Sequence, residues 1–282
     1  MASSTQQSFG PLVDGAWLVT HLRDPDLRVI DLRWYLSGKN AADEYAKGHV
    51  PGAVRIDLET EITARKGPGR HPIPGGGQLE RAMRKAGVSE TTRVVVYDDA
   101  GGSIAARLWF LLHLFGHKRV AVLDGGLAAW SAAGGALSTD VPEYPEGDFT
   151  AAPPDSDAVV DKDAVQERDA AVVLIDARAA ERYRGESEPI DARPGHIPGA
   201  VNAPWAGNLD AGRFMSREKL RARFEALGVK DGGEAIVYCG SGVTACHDML
   251  AIELAGFARP KLYEGSWSDW ARDESLPAAK GE

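Results

Sequence analysis

The sequence has little cysteine: its 282 residues include only two, Cys239 and Cys246. Two cysteines this close together near the C-terminus cannot form the framework of a disulfide-stabilised domain, so each is either a reactive thiol or a core residue. Metal-binding motifs are missing too, because neither Cys-x-x-Cys nor His-Glu-x-x-His occurs and the seven histidines are scattered. We therefore expect neither a metal nor an organic cofactor.

Long apolar runs and an excess of positive charge are also absent. No run approaches the roughly 20 apolar residues that a membrane helix needs, and residues 1–22 have neither the basic nor the apolar region of a signal peptide. The formal net charge of −9 disfavours nucleic acid or an anionic membrane as the main partner, while it leaves room for a local basic pocket. These absences favour a cytoplasmic globular protein.

What the sequence does contain is a duplication. Four segments occur twice in the same order, at offsets of 140 to 147 residues. The matching pairs are residues 29–33 and 174–178, 48–54 and 195–201, 95–98 and 236–239, and 123–130 and 263–270. Chance does not produce four ordered matches at a nearly constant offset, so the chain is a tandem repeat of two halves, each of ordinary domain size.

Each half alternates short apolar strands with longer helices. We predict strands over residues 29–32, 94–97 and 120–123 and helices over residues 79–86 and 104–115. The second half repeats this pattern with strands over residues 172–175, 236–238 and 261–263 and helices near residues 217–227 and 243–254. Such alternation indicates an α/β fold in which each half is a mostly parallel sheet with helices on both faces.

The boundary between the halves is marked by composition. A stretch rich in Pro, Glu, Asp and Ala predicts an extended linker over residues 139–157. The predicted domains on either side of it are residues 1–138 and residues 158–282.

Cys239 occupies a position in the predicted fold that is typical of catalytic or ligand-binding residues. It follows a predicted strand and precedes a helix, and ligands of such sheets bind beyond the carboxyl ends of the strands. The loop after it consists of Gly240, Ser241, Gly242, Val243 and Thr244. The glycines let the backbone curl around the sulfur, so that amide N–H groups and the start of the helix favour the nucleophilic thiolate. The two hydroxyl groups of the loop can donate further hydrogen bonds to the sulfur or to a bound anion.

Two other interpretations of the cysteines are weaker. A cysteine cradled by amides is also typical of tyrosine phosphatases, but these need an arginine at the sixth position after it, where this chain has Ala245. Cys246 shares an apolar helical stripe with Val243 and Leu250, which predicts a core residue. A redox pair of Cys239 and Cys246 would require the two sulfurs to meet, and a core position makes that awkward.

The repeated motifs resemble those of the rhodanese superfamily. They are the paired Gly-His-Val/Ile-Pro-Gly-Ala turns, which contain His49 and His196, and the ending Gly-Ser-Trp-x-x-Trp that closes at Trp270. The resemblance covers residues 17–270. The loop Cys-Gly-Ser-Gly-Val-Thr-Ala-Cys is similar to that of the 3-mercaptopyruvate sulfurtransferases in this superfamily, whereas the thiosulfate branch typically has Arg and Lys after the cysteine.

The resemblance implies a sulfurtransferase that carries sulfane sulfur as a persulfide on Cys239. It also implies a catalytically silent first half, since Asp98 stands at the cysteine position and a carboxylate cannot carry sulfane sulfur. It places a substrate-binding arginine at Arg182. A second family arginine would fall at Asp191, so Arg193, two residues later, is the candidate to replace it.

Three other positions have competing interpretations. In this family the silent half helps to wall the active site, so His49 is a candidate to orient the substrate or transfer a proton, against a simple role in fixing its turn. The glycine-rich residues 67–77 lack the Gly-Lys-Ser/Thr of a phosphate loop and are predicted to form a surface loop. His247 is expected at the surface of the helix that follows Cys239.

Three functions remain open at this point. The first is a 3-mercaptopyruvate sulfurtransferase with a thiol or cyanide as acceptor, and the second is a thiosulfate sulfurtransferase. The third is a sulfur-relay protein that delivers its persulfide to a partner protein. Gly240 and Ser241 are uncharged, which favours mercaptopyruvate, whose charge is remote from its thiol, over the dianion thiosulfate.

Overall fold

The structure, a computed structural model, describes residues 9–282 of the chain. Residues 1–8, which begin both the predicted first domain and the segment considered as a signal peptide, lie outside the described residues. Over the part that is described, no helix is both long and apolar enough to span a membrane.

The first half is built on one five-stranded sheet. Its strands are β1 (Leu12–Val13), β2 (Leu27–Asp31), β3 (Ala53–Arg55), β4 (Arg93–Tyr97) and β5 (Val120–Leu123). Its helices are α1 (Gly15–His21), α2 (Ala41–Lys47), α3 (Gly76–Lys85), α4 (Ala105–Leu114) and α5 (Gly126–Ala132). All neighbouring strands are parallel, in the order β1-β5-β4-β2-β3.

The second half repeats this sheet and adds a small hairpin. The strands are β6 (Val159–Val160), β7 (Val173–Asp176), β8 (Ala200–Asn202), β9 (Leu209–Asp210), β10 (Arg213–Phe214), β11 (Ala235–Tyr238) and β12 (Lys261–Tyr263). The helices are α6 (Lys162–Gln166), α7 (Ala180–Tyr183), α8 (Arg217–Ala226), α9 (Ala245–Leu254) and α10 (Ser266–Trp270). The parallel sheet has the equivalent order β6-β12-β11-β7-β8, and β9 and β10 pair antiparallel beside it.

Helices cover both faces of each sheet, as the alternation along a central strand shows. Val94 and Val96 of β4 pack in a cluster with residues of α3 and α4. Val95 and Tyr97 point to the opposite face, where they share a cluster with Trp17 of α1. Strands buried on both sides need apolar residues at every position, which is why the sequence shows apolar runs rather than alternation. The predicted α/β fold with two similar halves is confirmed.

A buried polar network recurs in both halves and ties the main strand to the Gly-His turn. In the first half, the Arg33 guanidinium lies 2.6 Å from the Asp31 carboxylate and donates to the Gly48 carbonyl at 3.0 Å. The equivalent residues of the second half are Arg178, Asp176 and Gly195. Since each arginine is buried beside a carboxylate and a carbonyl, its charge is compensated where water is excluded.

The two halves meet through the helices that follow their equivalent loops. Residues 139–155 contain neither helix nor strand and run along the first half, where Tyr144 Oη donates to the Gly52 carbonyl at 2.9 Å. Helices α4 and α9 pack against each other, and one buried apolar cluster includes residues from both. The loop that contains Cys239 therefore lies at the interface between the halves.

Candidate active site

Cys239 directly follows β11, the central strand of the second sheet, and is only 2% exposed. The backbone N–H groups of Ser241 and Gly242 point to its sulfur, with N···Sγ distances of 3.4 Å and 3.1 Å. The φ angle of Gly242 is +77°, and a Cβ there would lie 2.7 Å from the Glu264 carbonyl oxygen, so glycine is required. The φ angle of Gly240 is not positive, so the expectation that both glycines use this freedom holds for Gly242 alone.

The start of α10 holds the loop from the other side. Ser266 Oγ accepts a hydrogen bond from the Cys239 N–H at 3.1 Å. The N–H groups of Trp267 and Ser268 donate to the carbonyl groups of Cys239 and Gly240, at 2.9 Å and 3.0 Å. Ser266 has a φ angle of +53°, an unfavourable conformation for a residue with a side chain, and these hydrogen bonds offset its cost. The Gly-Ser-Trp ending thus fixes the position of the sulfur.

Ser241 is paired with a histidine from the first half. Its Oγ lies 2.8 Å from Nδ1 of His71, and both residues are buried. Burial, together with the nearby charges of Arg107 and Arg70, lowers the pKa of His71 to about 4. His71 is therefore neutral near pH 7, and its ring can exchange a proton with the serine hydroxyl.

The prediction that residues 67–77 form a surface loop is wrong. The N–H of Arg70 donates to Ser268 Oγ, and the N–H of Ile73 donates to the Glu264 carboxylate, both at 3.1 Å. This segment crosses to the second half and brings side chains of the first half to Cys239. Its glycine-rich composition is typical of loops, and composition does not show what a loop packs against.

Arg107 of α4 joins the two loops and is a residue that the sequence analysis missed. It is completely buried, its Nη1 donates to the Gly242 carbonyl at 3.0 Å, and its Nη2 donates to the His71 carbonyl at 2.8 Å. A buried guanidinium is costly unless hydrogen bonds compensate it. These two hydrogen bonds therefore favour one arrangement of both loops, while the buried Nε of Arg107 has no hydrogen-bond partner among the described residues. The sequence feature that could have indicated its role is a charged residue in an otherwise apolar helix.

A cavity of about 250 Å³ opens at Cys239, and arginines from both halves line it: Arg70, Arg178 and Arg182. Arg182 Nη2 lies 2.7 Å from Glu188 and 2.9 Å from Asp191, and Arg70 Nη1 forms an ion pair with the other oxygen of Asp191. Burial raises the pKa of Asp191, against the opposing effect of the arginines. Arg182 is thus placed where a substrate-binding arginine is expected, and the cavity suits a small anion.

Two predicted residues lie elsewhere. His49 is buried, and its ring nitrogens each lie 2.9 Å from a backbone carbonyl oxygen, of Tyr45 and of Asp140. Arg193 donates to three backbone carbonyl groups at the end of α10 and just after it, at 2.8 to 3.3 Å. Neither side chain lines the cavity at Cys239. The structure therefore does not support the substrate contacts expected of them, because both side chains are used to anchor backbone.

The residues after the loop are buried inside α9. Cys246 Sγ donates to the Gly242 carbonyl at 3.3 Å, and burial raises the pKa of Cys246 to about 12, so it is an unreactive core thiol. The expectation that His247 lies at the surface is wrong. His247 is completely buried, its ring stacks on Phe214 with centroids 4.4 Å apart, and burial lowers its pKa to about 3.

These features define a duplicated α/β protein with a buried cysteine at a cavity that arginines from both halves line. A family model described as "Rhodanese-like domain" matches residues 14–133 and residues 161–273, so the chain belongs to the rhodanese family. The resemblance predicted from the motifs is confirmed.

Two similar relatives and one solved structure have names that describe sulfurtransferases. The chain is 44% identical to the probable 3-mercaptopyruvate sulfurtransferase of Pseudomonas aeruginosa, with 98% of this chain and 100% of the relative covered. It is 40% identical to the putative thiosulfate sulfurtransferase SseB of Mycobacterium tuberculosis, with 92% of each covered. The solved structure of SseA from Escherichia coli, described as a 3-mercaptopyruvate sulfotransferase, has a TM-score of 0.81 at 37% identity, covering 92% of this chain and 99% of that one. The protein is a sulfurtransferase with two rhodanese-like domains.

Proposed function

We propose that the protein moves sulfane sulfur from 3-mercaptopyruvate to a thiol or cyanide through a persulfide on Cys239. The observation that carries this proposal is the surroundings of one sulfur atom. Cys239 Sγ accepts two backbone N–H groups and faces a cavity lined by arginines, while the Ser241 hydroxyl stands beside it. N–H donors stabilise negative charge on sulfur, both in the thiolate and in the persulfide anion.

In the first half-reaction, the Cys239 thiolate attacks the sulfur of mercaptopyruvate. A sulfur–sulfur bond forms, the carbon–sulfur bond breaks, and its electron pair remains on the carbon as the enolate of pyruvate. The proton of the substrate thiol passes through the Ser241 hydroxyl, which His71 orients, to that enolate. Pyruvate leaves, and the negative charge now lies on the outer sulfur of the persulfide.

Arg182 holds the substrate carboxylate during this step. It lines the cavity, and a Cβ on residue 240 would lie 3.4 Å from its Nη1, so the guanidinium stands directly over the loop. A charge-assisted hydrogen bond at this place is worth about 1.5–3 kcal/mol. The carboxylate is thereby held at one end of the cavity while the substrate thiol reaches Cys239.

In the second half-reaction, an acceptor thiolate or cyanide attacks the outer sulfur. The sulfur–sulfur bond breaks, its electron pair returns to Cys239, and the thiolate is regenerated. A reducing compartment, which we propose to be the cytoplasm, keeps such a thiol free of disulfides between turnovers.

We further propose that residues 1–138 form the silent domain, residues 139–157 the linker and residues 158–282 the catalytic domain. Support comes from Asp98, which stands at the position of Cys239 in the first half. Its carboxylate already accepts hydrogen bonds from four backbone N–H groups. Since those donors are taken, this loop, as the structure of residues 9–282 describes it, leaves no amide donors for a sulfur anion.

Thiosulfate is the second candidate sulfur donor, because positive charge does stand near the loop. Gly240 and Ser241 are neutral, but a Cβ on residue 240 would lie 2.8 Å from Arg70 Nη2 and close to Arg182 as well. Glu188 and Asp191 offset these two charges. An offset site favours a monoanion such as mercaptopyruvate over a dianion, so mercaptopyruvate remains the preferred donor.

The test is a side-by-side measurement of initial rates with 3-mercaptopyruvate and thiosulfate, each with cyanide and with a small thiol as acceptor. We expect the higher kcat/KM with mercaptopyruvate and one pyruvate released per sulfur transferred. A higher kcat/KM with thiosulfate would select the second candidate. Turnover with a protein acceptor and none with cyanide or small thiols would instead identify a sulfur relay.

A further inference from the structure

A second cavity, of about 550 Å³, adjoins the cavity of about 250 Å³ at Cys239. This outer cavity is lined by residues of segments 34–38 and 59–71 of the first half and by Ile190 of the second. Five residues line both cavities: Trp34, Leu36, Arg70, His71 and Ile190. The outer cavity is therefore continuous with the space in front of the sulfur.

The sulfur donor does not need the outer cavity. Mercaptopyruvate is a three-carbon acid, small enough for the cavity that Arg182 and the Cys239 loop line. In a reaction with two half-reactions the donor product leaves before the acceptor binds, so both reactants can occupy the space next to the sulfur in turn. Additional volume matters only for an acceptor whose body is larger than the donor.

The walls of the outer cavity are largely apolar. Trp34, Leu36, Ala64 and Ile190 all line it, and Leu36 is 62% exposed. The indole N–H of Trp34 donates to the Glu59 carboxylate at 3.1 Å, so the ring has no free donor for a ligand. Covering such surface removes apolar area from water, so an apolar chain is the favoured occupant.

The polar groups of the same walls favour an uncharged occupant with one hydrogen-bonding group. Arg70 is paired with Asp191, and His71 is neutral near pH 7. Thr63 lines the outer cavity and is only 6% exposed, and its Oγ has no hydrogen-bond partner among residues 9–282. A buried hydroxyl without a partner costs free energy, which a polar group of a ligand recovers.

We propose that the outer cavity binds the sulfur acceptor, and that this acceptor is a small thiol with an uncharged apolar chain and a hydrogen-bonding end. The chain lies against Trp34 and Leu36, and the polar end bonds to Thr63. The thiol loses its proton to water, and its thiolate attacks the outer sulfur of the persulfide. A new sulfur–sulfur bond forms, the bond to Cys239 breaks, and its electron pair stays on the cysteine sulfur. The inference rests on the proposed function, since it needs a persulfide on Cys239.

A series of thiols of increasing length tests the proposal on protein that already carries the persulfide. The acceptors are 2-mercaptoethanol, 4-mercapto-1-butanol and 6-mercapto-1-hexanol, with cyanide as the acceptor that needs no second cavity. Loss of the added sulfur, followed by mass spectrometry of the quenched protein, gives a second-order rate constant for each. We expect it to rise along the series by up to about fourfold for each methylene that leaves water. Rate constants that do not rise with chain length overturn the proposal.

Filling the outer cavity should remove this advantage. Ala64 does not line the cavity at Cys239, so Ala64→Leu narrows the outer cavity alone. We expect the rate constant with 6-mercapto-1-hexanol to fall at least about tenfold and that with cyanide to change less than about twofold. Ala42→Leu, the same substitution at an exposed position of α2, is the matched control and should change neither. Equal losses with both acceptors in Ala64→Leu overturn the proposal.

Thr63→Val tests the polar contact and serves if Ala64→Leu does not fold. In the wild type we expect 4-mercapto-1-butanol to react about fivefold faster than 1-butanethiol, and in Thr63→Val we expect this advantage to disappear. The same advantage in both proteins overturns the contact with Thr63. Because each measurement starts from loaded protein, the result does not depend on the donor. Loading by thiosulfate and not by mercaptopyruvate would overturn the proposed donor, and the acceptor series would still decide on the outer cavity.

Discussion

The two halves contain equivalent loops that surround different side chains, a carboxylate in the first half and a thiol in the second. In the first half, the Asp98 carboxylate accepts four N–H groups at 2.8 to 2.9 Å, so the loop is saturated by the protein itself. In the second half, Cys239 Sγ accepts two N–H groups at 3.1 Å and 3.4 Å and has a side open to the cavity. Amide N–H groups around an anion thus have a structural role where the protein encloses the anion completely, as at Asp98. Where one side of the anion faces a cavity, as at Cys239, the same N–H groups can support a reaction.

The halves also contribute differently to the one site that results. In the proposed mechanism the second half provides the nucleophile and Arg182, whereas the first half brings Arg70, His71 and Arg107 to the same cavity and loop. The half without a nucleophile is therefore part of the active site.

The largest effect is expected from replacing the anion of the reactive loop. Cys239→Ser should abolish sulfur transfer from every sulfur donor while the fold persists, because a hydroxyl cannot form a persulfide. Mass spectrometry after incubation with mercaptopyruvate should show one added sulfur in the wild type and none in the variant. Cys246→Ser is the control and should retain most activity; transfer near the wild-type rate by Cys239→Ser would place the nucleophile elsewhere.

The corresponding change in the silent loop should cost stability. Asp98→Ala leaves four N–H groups without acceptors, three of them in buried and one in a partly buried hydrogen bond, so we expect the free energy of unfolding to fall by about 3–5 kcal/mol. Chemical denaturation followed by circular dichroism measures it. Asp99→Ala, which removes an exposed hydrogen bond to Tyr35, is the control and should cost less than about 1 kcal/mol. A loss for Asp98→Ala as small as that of the control would refute the structural role of this carboxylate.

A hydroxyl group of the reactive loop and one of the silent loop should differ in their effect on kcat. Ser241→Ala removes the partner of His71 and should lower kcat about a hundredfold, since a positioned proton-transfer group is lost. Ser103→Ala alters the first loop and should leave kcat unchanged. Single-turnover release of pyruvate is the measurement, and equal rates for Ser241→Ala and the wild type would remove the serine–histidine pair from the mechanism.

The smallest effect concerns histidines shielded from water: His113 of the first half is half-buried, and His247 of the second half is completely buried. Burial lowers the pKa of His113 to about 4 and that of His247 to about 3. Between these values and the ordinary pKa of about 6.5, the unfolded chain binds protons that the folded chain does not, so stability falls as the pH falls through this range. We expect His113→Gln and His247→Gln each to reduce the slope of unfolding free energy between pH 6 and 5 by about 1 kcal/mol per pH unit. An unchanged slope in denaturant titrations would contradict the buried neutral state.

The fold could be predicted where one strand or helix carries a long enough pattern. The predicted strand over residues 94–97 corresponds to β4 (Arg93–Tyr97), and the predicted helix over residues 104–115 to α4 (Ala105–Leu114). Strands such as β1 (Leu12–Val13) could not be predicted, because two residues have no periodicity. They exist because the parallel partner strand beside them supplies the hydrogen bonds.

The site could be predicted only as far as it is local in sequence. The Cys239 loop was recognisable from a strand, two glycines and a helix in succession. Arg70 and His71 were not, because they reach the loop from about 170 positions away, as the separation of 170 between His71 and Ser241 shows. Which surface a loop packs against follows from the assembly of the halves and leaves no pattern within the loop itself.

Of the two interpretations of His49, the contacts in the structure favour the role in fixing its turn, and the duplication could have indicated this. His196 occupies the equivalent turn of the catalytic half, where its Nδ1 lies 2.8 Å from the Tyr183 carbonyl and its ring stacks on Tyr183. His49 makes the same two contacts with Tyr45. A histidine that makes the same contacts in both halves has a role that both halves need. The turn is common to both, so the histidine fixes the turn.

Arg107 makes the loop of the second half depend on the first half. Deletion of the first half would leave the Gly242 carbonyl without the guanidinium of Arg107 and Ser241 without His71. We therefore expect the second half alone to lose activity. The arginine therefore makes the two halves interdependent: the catalytic half is not a self-sufficient unit, because part of the support for its loop lies in the other half.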